Sequence, residues 1–169
     1  MTTLYLSRHG VTDDNAAQIL QGLRQGHLIE EGVRQVRQLA DTLADVHFDA
    51  IIASDLQRAI DSAGIIAAPR AMEVVTTPLL RERDWGDFTG RFIPELRDLP
   101  FPENTETLDH LKARAAEFIQ WVAREYPGQT VLAMGHGIIN KAIQAVYYGK
   151  TMREVTKMDN AEYRVLKLK

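Results

Sequence analysis

Thr3-Leu4-Tyr5-Leu6-Ser7-Arg8-His9-Gly10 runs from an apolar, strand-forming stretch directly into an arginine, a histidine and a glycine. The same order returns near the other end of the chain, where Thr130-Val131-Leu132-Ala133-Met134 leads into Gly135-His136-Gly137. Between these two points, β-rich runs alternate with segments of helical period. Val33, Val36, Leu39, Ala40 and Leu43 recur at intervals of three and four, which predicts a helix from Glu31 to Val46. Ala50-Ile51-Ile52-Ala53 reads as a strand buried on both faces, with Ser54 or Asp55 capping a helix that continues to about Ala68. Glu73 to Thr77 is a further β-rich piece.

Gly86, Gly90, Pro94, Pro100 and Pro102 break any long element between Leu79 and Pro102, so that stretch is read as loop with at most one short helix. A long helix is expected from near Thr105 to Tyr126 and another from Gly137 to Tyr148. Glu162 to Lys169 reads as an edge strand of alternating apolar and basic residues, free or used for pairing, and no oligomeric state follows from it. Strand and helix alternation of this kind predicts an α/β fold, a mostly parallel sheet covered by helices on both faces. The 169 residues suit one domain, residues 1–169.

Bulk properties exclude several functions. No cysteine is present, so disulfides, thiolate metal sites and cysteine nucleophiles are ruled out. A formal net charge of -3 offers no general attraction to nucleic acid or an anionic membrane. No apolar run approaches the roughly 20 residues of a membrane helix. Met1 to Ser7 lacks the pattern of a secretory leader, so a cytoplasmic location is expected.

Ligands of open parallel sheets bind beyond the carboxyl ends of the strands. Arg8 and His9 follow the first strand, Ser54 to Arg58 the second, and His136 and Gly137 the one at Thr130. Two arginines and two of only five histidines therefore converge. Phosphoryl transfer explains such a set, because negative charge on three oxygens must be held while a nucleophile attacks in line. Arg8 and Arg58 supply forked cationic donors, and a neutral His9 imidazole can form a covalent phosphoryl intermediate. Arg58 falls in the first turn of its helix, where the macrodipole disfavours a cation by about 0.3–1 kcal/mol, and a phosphate partner would explain the placement. Glycine after each histidine permits close backbone approach, and the helix after Gly137 would aim free amides at the anion. Two histidines with nearby carboxylates would also suit a divalent metal, but two fixed cations would repel it.

With these residues in place, the chain resembles the histidine phosphatase superfamily, the phosphoglycerate mutase-like proteins, along essentially its whole length. The resemblance rests on Leu6-Ser7-Arg8-His9-Gly10-Val11-Thr12 with Asn15 and Gln21-Gly22; on Ser54-Asp55-Leu56-Gln57-Arg58-Ala59; on Glu82-Arg83-Asp84-Trp85-Gly86; on Glu106-Thr107-Leu108 with Arg114; and on His136-Gly137. It implies a three-layer α/β/α sandwich, phosphorylation of His9, a phosphate pocket of Arg8, Arg58 and His136, and proton donation by Glu82. Asn15, Gln21, Gly22 and Gly137 are the lesser contacts, Asp84 is the reserve proton donor, and no cofactor or metal is implied. Arg81 and Arg83 flank Glu82 and would favour its charged form, whereas donation requires the neutral one, so burial or bound phosphate has to compensate. Gln25-Gly26-His27-Leu28-Ile29 departs from the family's Asp-x-Pro-Leu-Thr run, which predicts a changed pocket rim.

A mutase must shield its phosphorylated enzyme from water, which calls for an enclosing lid. The lid segment here, about residues 91–107, is short, so hydrolysis is the better reading. The substrate order is a small phosphate monoester, then a phosphoglycerate-type sugar phosphate, as in a mutase, then a phosphohistidine-bearing protein. The competing reading from another class is a member of this fold that binds phosphorylated ligands without turnover. An intact His9, Arg8, Arg58, Glu82 and His136 set counts against it.

Overall fold

The computed structural model describes all of residues 1–169. Five strands form one sheet: β1 (Thr2–Arg8), β2 (Ala50–Ser54), β3 (Val74–Thr77), β4 (Thr130–Gly135) and β5 (Tyr163–Leu168), in the order β3-β2-β4-β1-β5. All neighbours run parallel except β5, which pairs antiparallel with β1 at the edge. The mostly parallel α/β sheet expected from the alternation is therefore present.

Successive side chains of a strand point to opposite faces, and the core divides accordingly. Leu4, Leu6, Ile52, Val131 and Ala133 face α4 (Leu108–Glu125) and α5 (Gly137–Tyr148), meeting Leu111, Phe118, Val122, Ile139 and Ile143. Ile51, Ala53, Leu132 and Met134 face α2 (Glu30–Thr42) and α3 (Gln57–Ala67), meeting Val36, Leu39, Ala63 and Ile66. Burial of β2 on both faces explains why its sequence is a continuous apolar run rather than an alternating one. In β5 only Leu166 and Leu168 are buried, as an edge strand with one covered face requires.

Three local differences from the sequence reading have physical causes. The stretch after His9 contains a short helix, α1 (Asp13–Ala17), closed by a reciprocal capping box between Thr12 and Asn15. Helix α2 ends at Thr42, four residues before Val46, and the Arg70 guanidinium caps the carbonyls of Leu43 and Val46 at 2.7 and 2.6 Å. Helix α3 has Leu56 at its N-cap with no side-chain cap, because the Ser54 hydroxyl is engaged elsewhere.

Strand register builds the site. Arg8 pairs with Gly135, and Ala53 with Met134, so Arg8, Ser54 and His136 leave the sheet side by side. Helix α2 is seated directly behind His9. A Cβ on Gly32 would lie 2.1 Å from the Val11 carbonyl oxygen, and one on Gly10 would lie 2.5 Å from the Gly32 carbonyl oxygen.

Candidate active site

His9 is 2 % exposed, and its Nδ1 lies 2.7 Å from the Gly10 carbonyl oxygen. A carbonyl only accepts, so Nδ1 carries the proton and Nε2 keeps its lone pair. Burial, then the charge of Arg58, pushes the His9 pKa down to about 3, which keeps the ring neutral and nucleophilic. The ring faces a cavity of about 110 Å³ whose polar lining includes Arg8, Asn15, Gln21, Arg58 and Glu82.

The two arginines are held differently. Arg8 donates from Nη1 to the Met158 carbonyl at 2.8 Å, leaving its buried Nε without a partner. Arg58 is 1 % exposed, and its terminal nitrogens donate to the carbonyls of Gly22 (2.8 Å), Arg24 and Gln25 (3.2 Å), again leaving Nε free. Burial brings the Arg58 pKa down to about 10, so it stays charged at neutral pH. Arg58 thus clamps the loop of residues 22–25 as well as lining the cavity. The loop carbonyls are a second reason for a cation in the first turn of α3.

His136 is fully buried behind His9, with the ring centroids 5.1 Å apart. Its Nε2 lies 2.6 Å from Ser54 Oγ, and its Nδ1 has no partner. Burial, reinforced by Arg58, holds its pKa well below the ordinary imidazole value. Ser54 accepts from the Leu56 amide at 3.3 Å and has no acceptor for its own proton except His136, so the hydroxyl donates to Nε2. Nδ1 of His136 must then carry the ring proton, a buried donor with nothing to donate to.

Glu82 stands where α5 begins. Its carboxylate accepts from the amides of Ile139 (3.0 Å) and Arg83 (2.8 Å) through Oε1, and from Ile138 (3.0 Å) through Oε2. The α5 amides expected to face phosphate are therefore engaged by Glu82. The flanking arginines point away from it: Arg81 pairs with Asp55 at 2.6 Å, and Arg83 donates to the Glu106 carbonyl and stacks on Trp85. Asp84 accepts from the Gly86 amide and does not line the His9 cavity. A larger open groove of about 620 Å³ lies across Glu82, with Leu23, Pro78, Leu79 and His110 among its lining.

Asn15 and Gln21 share one arrangement. The Asn15 side-chain oxygen accepts from Thr12 N, and the Gln21 oxygen accepts from Thr12 Oγ1 at 2.9 Å, so each amide NH₂ group is left for the cavity. Gly22 adopts φ +51°, and Arg24 ties the loop to Asp14 at 2.9 Å. A Cβ on Gly137 would meet Lys157 Cε at 2.6 Å and Arg8 Cζ at 3.4 Å, so glycine there admits both cations.

Arg8, His9, Asn15, Gln21, Gly22, Arg58 and Glu82 line one cavity, with His136 behind His9 and Gly137 beside Arg8, whereas Asp84, Glu106 and Arg114 line the open groove across Glu82 instead. The sequence did not reveal Lys157, a third cavity cation in a polar segment without period, or Asn160, which donates to the His9 carbonyl at 3.1 Å. Nor did it assign the Ser54–His136 contact, which joins residues 82 positions apart. In the segment of residues 91–107, Ile93 lines the cavity, while Phe101 packs with Trp85 and Phe88. Residues 90–93 are fixed by backbone bonds to Gln18 and Leu20.

The family model "Histidine phosphatase superfamily (branch 1)" matches residues 4–169. The chain is 33% identical to the uncharacterized phosphatase PhoE of Bacillus subtilis over 166 residues, covering 95% of this chain and 86% of that one. It is 31% identical to the metal-independent phosphoserine phosphatase of Arabidopsis thaliana over 160 residues, 85% of this chain and 67% of that one. Among solved structures, YhfR of Bacillus stearothermophilus superposes with a TM-score of 0.93 at 27% identity, covering 99% of this chain and 91% of that one.

Proposed function

The chain belongs to the histidine phosphatase superfamily and is a phosphatase, and on that premise we propose that it hydrolyses a small phosphate monoester, without metal, through a phosphohistidine at His9. The observation that carries this reading is the His9 ring itself. Its Nδ1 is tied to the Gly10 carbonyl, and its unpartnered Nε2 faces a cavity walled by Arg8, Arg58 and Glu82.

In the first step His9 Nε2 attacks phosphorus and the bond to the ester oxygen breaks, while Glu82 gives its proton to the departing oxygen. Arg8 Nε, Arg58 Nε and His136 Nδ1, three buried donors without partners, address the phosphoryl oxygens as charge develops. Asn15 and Gln21 add two amide donors, and Gly22 and Gly137 let the backbone and both cations close in. In the second step the Glu82 carboxylate takes a proton from water, the water oxygen attacks phosphorus, and the N–P bond breaks. Phosphate leaves, and neutral His9 and protonated Glu82 are restored.

Arg8 and Arg58 supply positive charge that a metal would otherwise bring to the phosphoryl oxygens. The small cavity suits one phosphoryl group, and the groove across Glu82 gives the leaving group a place to extend. Residues 91–107 are the short lid segment, pinned at 90–93 to the catalytic loop as a fixed wall, which supports hydrolysis over a mutase reaction. The test is release of p-nitrophenol from its phosphate ester in excess chelator by the parent and by His9→Ala across pH. Turnover that survives chelation and is lost in the variant supports the reading, whereas metal-dependent turnover or an active variant overturns it.

A further inference from the structure

Glu82 is carried by a stretch without regular structure of its own, since no helix or strand covers residues 81–85. Carbonyls in such a stretch need partners from elsewhere. Arg114, in the second turn of α4, supplies them. Its Nη1 donates to the carbonyls of Leu79 at 3.0 Å and Arg81 at 2.6 Å, and its Nη2 to that of Glu82 at 3.5 Å. Nε and Nη2 donate to the two carboxylate oxygens of Glu106 at 3.0 and 2.9 Å. Glu106 in turn accepts from the Asp84 amide at 3.1 Å, and its backbone bonds the Asp84 carbonyl and the Arg83 guanidinium, both at 2.7 Å.

A guanidinium has five N–H donors, and these bonds commit every one of them. Arg114 therefore keeps no donor for a substrate, and neither it nor Glu106 lines the His9 cavity. The pair is shielded from water, with the Arg114 side chain 14% exposed and that of Glu106 7%. Its base is rigid, because Leu111, Ala115 and Phe118 of the same helix are buried in the core. Glu82 is thus held from two sides: the α5 amides fix its carboxylate, and Arg114 fixes its backbone.

Resting on the function proposed above, we propose that Arg114 is a positioning residue for proton transfer, with Glu106 as the partner that orients it. Together they hold residues 79–84 so that the Glu82 carboxyl reaches the ester oxygen of a phosphoryl group set against His9. A displacement of about 1 Å at a reacting group can cost about 10²-fold in rate. Here the cost falls on the proton step, because His9, Arg8, Arg58 and His136 are held by other bonds.

Arg114→Lys keeps the charge beside Glu106, but three donors on one nitrogen cannot span three carbonyls and a carboxylate. Glu106→Gln keeps the size of the side chain and weakens the grip on Arg114. Circular dichroism establishes the fold of each, and if one variant does not fold the other carries the same comparison. The test is kcat/KM, read by phosphate release, for ethyl phosphate and for p-nitrophenyl phosphate, whose leaving group needs less protonation. Arg114→Lys is expected to lose about tenfold or more beyond its p-nitrophenyl phosphate loss when ethyl phosphate is the substrate, and Glu106→Gln to show a smaller loss of the same kind. Added to Glu82→Gln, Arg114→Lys should cost little further, because both act on one proton transfer. A merely structural pair would lower both esters alike and add in full to Glu82→Gln; either result, or unchanged kinetics, overturns the assignment. No ester turnover by the parent, or full turnover by Glu82→Gln, fails the function reading itself and this proposal with it.

Discussion

The Ser54 hydroxyl, 2.6 Å from His136 Nε2, fixes which nitrogen of that ring carries the proton. With its own proton committed to Nε2, Ser54 leaves Nδ1–H as the face His136 offers to a phosphoryl oxygen. Ser54→Ala removes the donor, frees the ring to change tautomer, and leaves a buried nitrogen unsatisfied. We expect kcat to fall about 10- to 100-fold with a smaller change in KM, as for other partners that orient a catalytic ring. Steady-state kinetics with nitrogen-15 spectra of His136 check this. Unchanged kcat with an altered tautomer would remove His136 from the reaction.

Glu82→Gln keeps the size of the side chain and one acceptor oxygen for the α5 amides, yet cannot give or take a proton. Turnover should fall about 10²–10⁴-fold. Phosphorylation of the enzyme should suffer more with an alkyl phosphate than with p-nitrophenyl phosphate, whose leaving group needs less protonation. Rapid-quench comparison of the two esters reads the difference, and an equal loss would argue against Glu82 as the donor.

The His9 pKa, held at about 3 against an ordinary 6.5, has a consequence for stability. Folding favours the neutral ring, so this contribution is fully present above about pH 6.5 and is lost as pH falls toward 3. Between those limits the unfolded chain binds the extra proton. His9→Ala should therefore show a shallower loss of unfolding free energy with acidification between about pH 6 and pH 4 than the parent. The His9 ring resonances of the parent should not titrate over the same range. Parallel stability curves would contradict the assigned burial and charge environment.

Two glycines give opposite expectations. Gly32→Ala drives a Cβ to 2.1 Å from the Val11 carbonyl oxygen, which is backbone and cannot swing aside. Unfolding by denaturant should show a loss of about 1–3 kcal/mol or more, with turnover reduced because α2 seats the loop after His9. Gly64→Ala, inside α3 with nothing within 4 Å of its Cβ, should gain about 0.5–1 kcal/mol.

Much of this was legible because strand ends and helix periods carry their own signals. The run Ala50–Ala53 announced a strand buried on both faces, and the repeated strand-His-Gly pattern at His9 and His136 marked the carboxyl edge of the sheet. What sequence could not carry were pairings between distant polar residues. Ser54 read as a helix cap because serine before a helix usually is one, and only the register of β2 beside β4 turns it toward His136. The α5 amides read as a phosphate cradle, and the chain from Leu79 to Pro102, without period, gave no sign that Glu82 would occupy them. Lys157 had no local pattern at all; its place follows from the Met158 carbonyl holding Arg8 and from Asn160 holding the His9 loop.

A covalent phosphohistidine at His9 can be trapped as acid-sensitive label by rapid denaturation during turnover of a radiolabelled phosphate monoester in excess chelator. The expected result is one acid-labile phosphoryl group per chain at most, located on the peptide containing His9 and absent from His9→Ala. Turnover without any trapped label, under conditions where the second step is slowed by low temperature, or equal labelling of His9→Ala, would contradict it.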